Sequence, residues 1–210
     1  MIKAVLLDFD GTLVYKDILD VICETVHKGK ASKQINEEFH QGKRKGLESL
    51  IDRINFLHGV TILQIKDKLS SNAYLIDGAE ELINFLNQNK IISILSSGNI
   101  LPVLQHYKNL LGITYIVGSK LQMKNDTIIG VSPSNFKDRA FKLNGVKKIL
   151  NTLNIKTNET IAIGDSPADL GLFEFASKSI AINPKGGIEK NADYLISDLK
   201  AAIPIIQKLI

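Results

Sequence analysis

LLDFDGTLV, residues Leu6 to Val14, joins a short apolar run to two carboxylates. The run climbs from Ile2 to Leu7 and then meets Asp8 and Asp10. Residues two apart in a strand point the same way. Like charges that close raise one another's pKa and weaken a fold unless something compensates. A bound cation is the compensation that suits two carboxylates at the end of a buried strand.

Further runs resemble Ile2–Leu7: Ile91–Leu95, Ile113–Val117, Thr160–Ile163 and Ser179–Ile182. They are short, rich in Ile and Val, and lack alternation, as parallel strands buried on both faces do. Helical patterns fall between them at Ala79–Asn89, Leu101–Leu110, Phe141–Asn154 and Ala168–Ala176. A closing helix is expected at Asp198–Leu209 despite Pro204. Strands alternating with helices predict an α/β fold, a Rossmann-like doubly wound parallel sheet with right-handed crossovers.

Residues 16–74 break the rhythm. They hold no convincing strand, are helix-permissive, and are punctuated by Gly29, Gly42, Gly46 and Gly59. That is too long for a simple crossover. The expected organisation is therefore a small all-helical cap at 16–74, inserted after the first strand, and an α/β core at 1–15 and 75–210. Hinges are expected near Val14–Lys16 and Ala73–Gly78, where a lid would exclude water from the site. LQMKNDTIIGV, 121–131, reads as a hairpin turning at Asn125-Asp126.

The bulk composition is ordinary for a globular chain. Of 210 residues, 44% are hydrophobic and 23% charged, enough for one sizeable domain or a core plus an insertion. No apolar run approaches the roughly 20 residues of a membrane helix. The N-terminus lacks a charged leader with an apolar segment, so secretion is not expected. Cys23 is the only cysteine, so no intramolecular disulfide forms, in keeping with a reducing cytoplasm. The net charge is +4. GKRKG at 42–46 and the lysines between Lys137 and Lys148 are the richest basic spots. No stacking aromatics accompany them, so solvated helix faces explain them better than nucleic-acid binding. A small phosphorylated metabolite would also suit such a mildly positive surface.

Ligands in open α/β sheets bind outside the carboxyl ends of the strands. Three strands are followed there by chemistry-bearing residues: Asp8, Asp10, Gly11 and Thr12; then SSGN, Ser96 to Asn99; then GDSPAD, Gly164 to Asp169. Asp165 or Ser166 doubles as a helix cap before Pro167, which leaves Asp169 unexplained. Hard oxygen donors without a His or Cys cluster favour Mg2+ over zinc. A carboxylate can attack phosphorus to form an acyl phosphate, and a second can protonate the leaving oxygen and then activate water. A lysine would stabilise the transferring phosphoryl group. Val146, Ile149, Leu150 and Leu153 form a helical stripe. Lys142 lies four residues before Val146 on that inward face, whereas Lys147 and Lys148 fall off it. Gly145 weakens the helix there.

DFDGTLV, the hydroxyl of ILSSGN, a lysine at a helix start and IAIGDSPAD resemble, in that order, the four motifs of the haloacid dehalogenase superfamily. The resemblance covers nearly the whole chain. The phosphoserine phosphatase group, with a helical cap between the first two motifs, is the most similar part of it. The resemblance implies Asp8 as nucleophile and Asp10 as general acid and base. It implies Mg2+ held by the Asp8 side chain, the Asp10 carbonyl and Asp165, with Asp169 in support, and phosphoryl oxygens bound by Ser96, Gly98 and Lys142. VYKDILD places Asp17 where those enzymes meet the substrate ammonium, typically with Glu. SLIDRI places Arg53 where they grip the substrate carboxylate. SSGN departs from their usual serine, two glycines and an aromatic, so Ser97 stands beside the substrate path and Asn99 replaces the aromatic. Sugar phosphates or nucleotides, or a mutase reaction, are the alternatives within the superfamily. A receiver-like phospho-aspartate module is the alternative outside it, and the insertion and GDSPAD argue against it.

Overall fold

A computed structural model describes residues 1–132 and 140–210. Lys137, one of the basic residues noted above, lies outside them. The sheet is six-stranded and parallel, in the order β3-β2-β1-β6-β7-β8. The strands are β1 Ala4–Leu7, β2 Ile92–Ile100, β3 Tyr115–Ser119, β6 Thr160–Gly164, β7 Lys178–Ile182 and β8 Tyr194–Ile196. β1 sits centrally, with Ala4 facing Ile92 of β2 on one side and Thr160 of β6 on the other. Chain order reverses across β1, so the crevice for a ligand opens beside its carboxyl end. The doubly wound parallel sheet expected from the sequence is present. β8 was not expected: three residues at the sheet edge with Leu195 exposed carry too little apolar signal.

Strand alternation sorts the core into two layers. Val5 and Leu7 face a layer completed by α5 (Ala79–Gln88), α6 (Leu101–Leu111) and α9 (Ala202–Gln207), through Leu82, Val103, Tyr107 and Ile206. Ala4 and Leu6 face the other, built from α7 (Phe141–Thr152) and α8 (Leu170–Phe175), through Val146, Leu150, Leu172 and Phe173. Pro204 falls in the first turn of α9, where its missing N–H costs nothing. Gly145 does not interrupt α7. A Cβ there would lie 2.4 Å from Val117 Cγ1, so the glycine lets the helix sit close on β3.

Between β1 and α5 the chain forms α1 (Ile18–Cys23), α2 (Gly29–His40), α3 (Gly46–Asn55) and α4 (Ile62–Ser70). Gly42 and Gly59, at φ +73° and +89°, take backbone conformations that side chains resist; Gly42 directly follows the end of α2, and Gly59 closes the turn after α3. The segments leading in and out pair with each other: Tyr15 N–H donates to Tyr74 O and Ile76 N–H to Leu13 O. β4 (Leu121–Lys124) and β5 (Thr127–Val131) form the expected hairpin, with Asn125 and Asp126 both at positive φ. Its tip holds the helical segment. Gly59 N–H donates to Ile128 O and Ile128 N–H to Val60 O, each at 2.8 Å, and Ile62 N–H donates to Asp126 O at 3.0 Å. Among the described residues no helix is long and apolar enough to cross a membrane.

Candidate active site

Asp8 continues the parity of Ala4 and Leu6, so it points to the face that α7 covers. Its N–H still pairs with Ile163 O, which fixes the backbone as a strand extension. Lys142, in the first turn of α7, meets it there: Nζ is 2.9 Å from Asp8 Oδ1 and 3.1 Å from Asp169 Oδ1. Asp169, with no exposed surface, also accepts from the N–H groups of Asp165 and Ser166 through Oδ2. One carboxylate thus shapes the turn after β6 and steadies the lysine. Ser166, not Asp165, caps that turn, which is a short 3-10 helix (Pro167–Asp169) leading into α8 rather than one continuous helix.

Asp8, Asp165 and Asp169 each offer a carboxylate oxygen within 4.8 Å of the others. The donor set is all hard oxygen, and among the described residues no His or Cys joins it, so it fits a small hard divalent cation. Gly11 permits the arrangement: at φ +92°, a Cβ there would sit 2.1 Å from Asp165 Oδ2. Lys185, in the loop after β7, also reaches this edge. Its Nζ lies 2.8 Å from Asp165 Oδ2 and its N–H donates to Asp165 O. Sequence reading missed it, because one lysine in a loop of a lysine-rich chain carries no local signal.

The side chain of Asp10 turns away from the three carboxylates. Oδ1 accepts from Ile18 N–H at 2.8 Å, and Oδ2 faces Asn99 Nδ2 at 3.2 Å and Ser97 Oγ at 3.4 Å. The expectation that SSGN follows the second strand is corrected here. β2 runs on to Ile100, so Ser96 to Asn99 lie within it, and its pairing with β3 shifts register between Ser96 and Ile100. Ser96 is buried, and its hydroxyl lies 3.4 Å from Lys142 O. Gly98 sits under Leu50 of α3, where a Cβ would make an ordinary 3.4 Å contact with its Cδ2.

Asp17 and Arg53 come together, but in a closed network. Arg53 is 5% exposed; Nη2 pairs with Asp17 Oδ1 and with Asp20 Oδ1, the latter at 2.9 Å. Nε donates to Ser32 Oγ and Nη1 to Asn36 Oδ1, while Asn36 Nδ2 donates to Asp17 Oδ2. Asp17 also caps α1, whose first residue supplies the N–H to Asp10. One helix start therefore links the Arg53–Asp17 pair to Asp10. Asp20, Ser32 and Asn36 were not anticipated, since polar residues on short helices usually face solvent.

Burial and the carboxylates of Asp169 and Asp165 push the Asp8 carboxyl well above its usual range, against the pull of Lys142. Burial and the neighbouring Asp17 push Asp10 up to about 7, opposed by Ile18 N–H and Asn99. Burial acts against the Lys142 ammonium, but Asp8 and Asp169 outweigh it and hold its pKa above the usual lysine range. Asp165 is raised by burial and eased by Lys185. A site with more carboxylates than ammonium groups favours an added cation.

A family model for haloacid dehalogenase-like hydrolases matches residues 2–176. This chain belongs to that family. It is 30% identical over 208 residues to a phosphoserine phosphatase of Campylobacter jejuni subsp. doylei, spanning 98% of this chain and 100% of that one. It is 29% identical over 209 residues to a phosphoserine phosphatase of Methanocaldococcus jannaschii, spanning 98% of each. Two solved structures share the fold across at least 97% of each chain. A substrate-bound phosphoserine phosphatase complex superposes with TM-score 0.85 at 26% identity. A phospho-aspartyl intermediate analogue of phosphoserine phosphatase does so with TM-score 0.84 at 27% identity. This haloacid dehalogenase-like hydrolase is thus phosphoserine phosphatase-like and a phosphoric monoester hydrolase.

Proposed function

We propose that this hydrolase is a Mg2+-dependent phosphatase that works through an aspartyl phosphate on Asp8, with phosphoserine its leading substrate. The observation that carries the reading is the buried contact of Lys142 with both Asp8 and Asp169 beside Asp165. Asp8, the Asp10 carbonyl and Asp165 would hold the cation, supported by Asp169, and it would neutralise charge on the phosphoryl oxygens when bound.

The remaining steps belong to the chain's own groups. Lys142, the Ser96 hydroxyl and the Gly98 backbone orient the phosphoryl group against Asp8. The Asp8 carboxylate attacks phosphorus, and the bond to the leaving oxygen breaks. Asp10 gives that oxygen its proton, then takes one from the water that cleaves the acyl phosphate. An Asp10 carboxyl near pKa 7 is matched to both transfers at neutral pH. Residues 16–74 act as the cap over this chemistry, and 1–15 with 75–210 as the core. Arg53 and Asp17 complement a substrate bearing both carboxylate and ammonium, with each substrate group replacing one partner of the resident pair, and Ser97 lines the path between. The lone cysteine, with no disulfide possible, suits a cytoplasmic setting.

The test is a phosphatase panel of O-phosphoserine, sugar phosphates and nucleoside monophosphates, with Mg2+ and with chelator. O-phosphoserine should be turned over best, and chelator should abolish turnover. Asp8→Asn should eliminate hydrolysis with the fold intact. A preference for sugar phosphates or nucleotides, or phosphoserine turnover indifferent to Arg53→Ala, would remove the amino-acid assignment.

A further inference from the structure

Asn99 and Ser97 are polar, each 2% exposed, and both turn toward the same carboxylate. They sit two apart on the extended end of β2, so they share a face, with Gly98 between them. Their hydrogen bonds fix which atoms they offer. Asn99 Oδ1 accepts from Ile100 N–H at 2.9 Å, so the amide must direct its NH2 outward. That NH2 lies 3.2 Å from Asp10 Oδ2 and 3.4 Å from Asp10 Oδ1. Ser97 Oγ accepts from Asn99 N–H at 2.9 Å, so its own proton is left to point at Asp10 Oδ2, 3.4 Å away.

From this geometry we infer that Asn99, assisted by Ser97, is a positioning residue that orients the Asp10 carboxyl for proton transfer to the leaving oxygen. The inference rests on the reading of Asp10 as the general acid. Ile18 N–H holds Oδ1 from the cap side at 2.8 Å, and the β2 pair holds Oδ2 from the core side. The carboxyl is pinned from both sides, and its rotation about Cβ–Cγ is restricted. In the step concerned, an Asp8 oxygen bonds to phosphorus as the bond from phosphorus to the alkoxide oxygen breaks. The proton on Asp10 passes to that oxygen, leaving Asp10 ionised and the alcohol neutral. A carboxyl free to rotate aims its proton at the leaving oxygen for less of the time, and general acid catalysis of this kind contributes about 10²- to 10⁴-fold.

The experiment compares kcat/KM, which covers only the steps through departure of the leaving group, for two substrates. One is p-nitrophenyl phosphate, whose phenolate departs without a proton. The other is the alkyl phosphomonoester hydrolysed fastest in the panel above, O-phosphoserine being tried first. Asn99→Leu should lower kcat/KM for the alkyl ester about 10- to 100-fold and for p-nitrophenyl phosphate less than about 3-fold. Ser97→Ala should shift the ratio the same way by a smaller factor. Partial misfolding lowers both substrates equally, so the ratio is immune to it. Equal losses on the two substrates, or none on either, overturn the positioning role. Asp10→Asn separates this from failure of the parent reading: it should show the same selectivity more strongly, and if it leaves the alkyl ester untouched, the assignment of Asp10 itself is wrong.

Discussion

The ammonium of Lys142 lies 2.9 Å from Asp8 across 134 residues of sequence, and the same nitrogen reaches Asp169 at 3.1 Å. One cation therefore serves two buried carboxylates. Lys142→Met should cut kcat/KM by roughly 10²- to 10³-fold, the size of losing one preorganised group facing the transferring charge. It should also lower the melting temperature of the chelator-treated protein, because Asp8 and Asp169 are left facing each other. Added Mg2+ should recover most of that stability and little of the rate. A variant that melts like wild type under chelator would show the carboxylates need no such partner.

Arg53, buried, likewise meets two carboxylates, Asp17 and Asp20. Removing one side of a buried ion pair costs about 3–5 kcal/mol, since the charges left behind stay desolvated. Arg53→Ala should destabilise the fold by that order in urea titrations. Arg53→Lys should recover only part, because one ammonium cannot span Ser32, Asn36, Asp17 and Asp20 as the guanidinium fork does. Loss of less than about 1 kcal/mol in Arg53→Ala would mean the network is solvated in solution.

Gly11 occupies a position no other residue fits. Gly11→Ala carries about 1–3 kcal/mol of backbone strain, and its Cβ would displace Asp165 from 2.1 Å. The expected signature is a weakened rise in melting temperature on adding Mg2+, beyond the drop in the metal-free protein. An unchanged Mg2+-dependent rise would show that Asp165 is not a ligand.

The metal-free protein should lose stability as pH rises toward neutrality. Asp10 titrates near 7 in the fold against an ordinary 3.8, so the folded state binds its proton more tightly than the unfolded chain does. That contribution is complete below about pH 4 and is lost as pH climbs through about 7. Asp8, Asp20 and Asp165 are raised too and act in the same direction. Thermal melts with chelator should fall between about pH 5 and 7.5, and Mg2+ should flatten the curve. A melting temperature that rises across this range would reverse the assigned sign.

The parts of the fold and site that sequence made legible are those encoded locally. Asp8 and Asp10 follow an apolar strand directly, GDSPAD follows another, and Lys142 is readable from the stripe that continues through Val146 and Leu150. The rest depends on pairing between distant segments. Lys185 reaches Asp165 only because β7 lies beside β6. Asn99 meets Asp10 only because β2 lies beside β1 and continues past its expected end. Asp20, Ser32 and Asn36 enclose Arg53 through three helices whose mutual packing no periodicity states. β8, with three residues and one exposed leucine, falls below what an apolar run can signal.

The grip of the β4–β5 hairpin on residues 59–62 makes the helical segment an arch with two abutments rather than a door on one hinge. An opening that strips the three hydrogen bonds at the hairpin gives up about 3 kcal/mol at roughly 1 each. The stripped form would then be present in about one molecule in a hundred, and a substrate that enters only through it would associate about a hundredfold more slowly than with a permanently open site. A rotation that carries the hairpin along escapes this penalty. The hairpin after β3 would thereby set how readily the helical segment lifts, through backbone bonds alone.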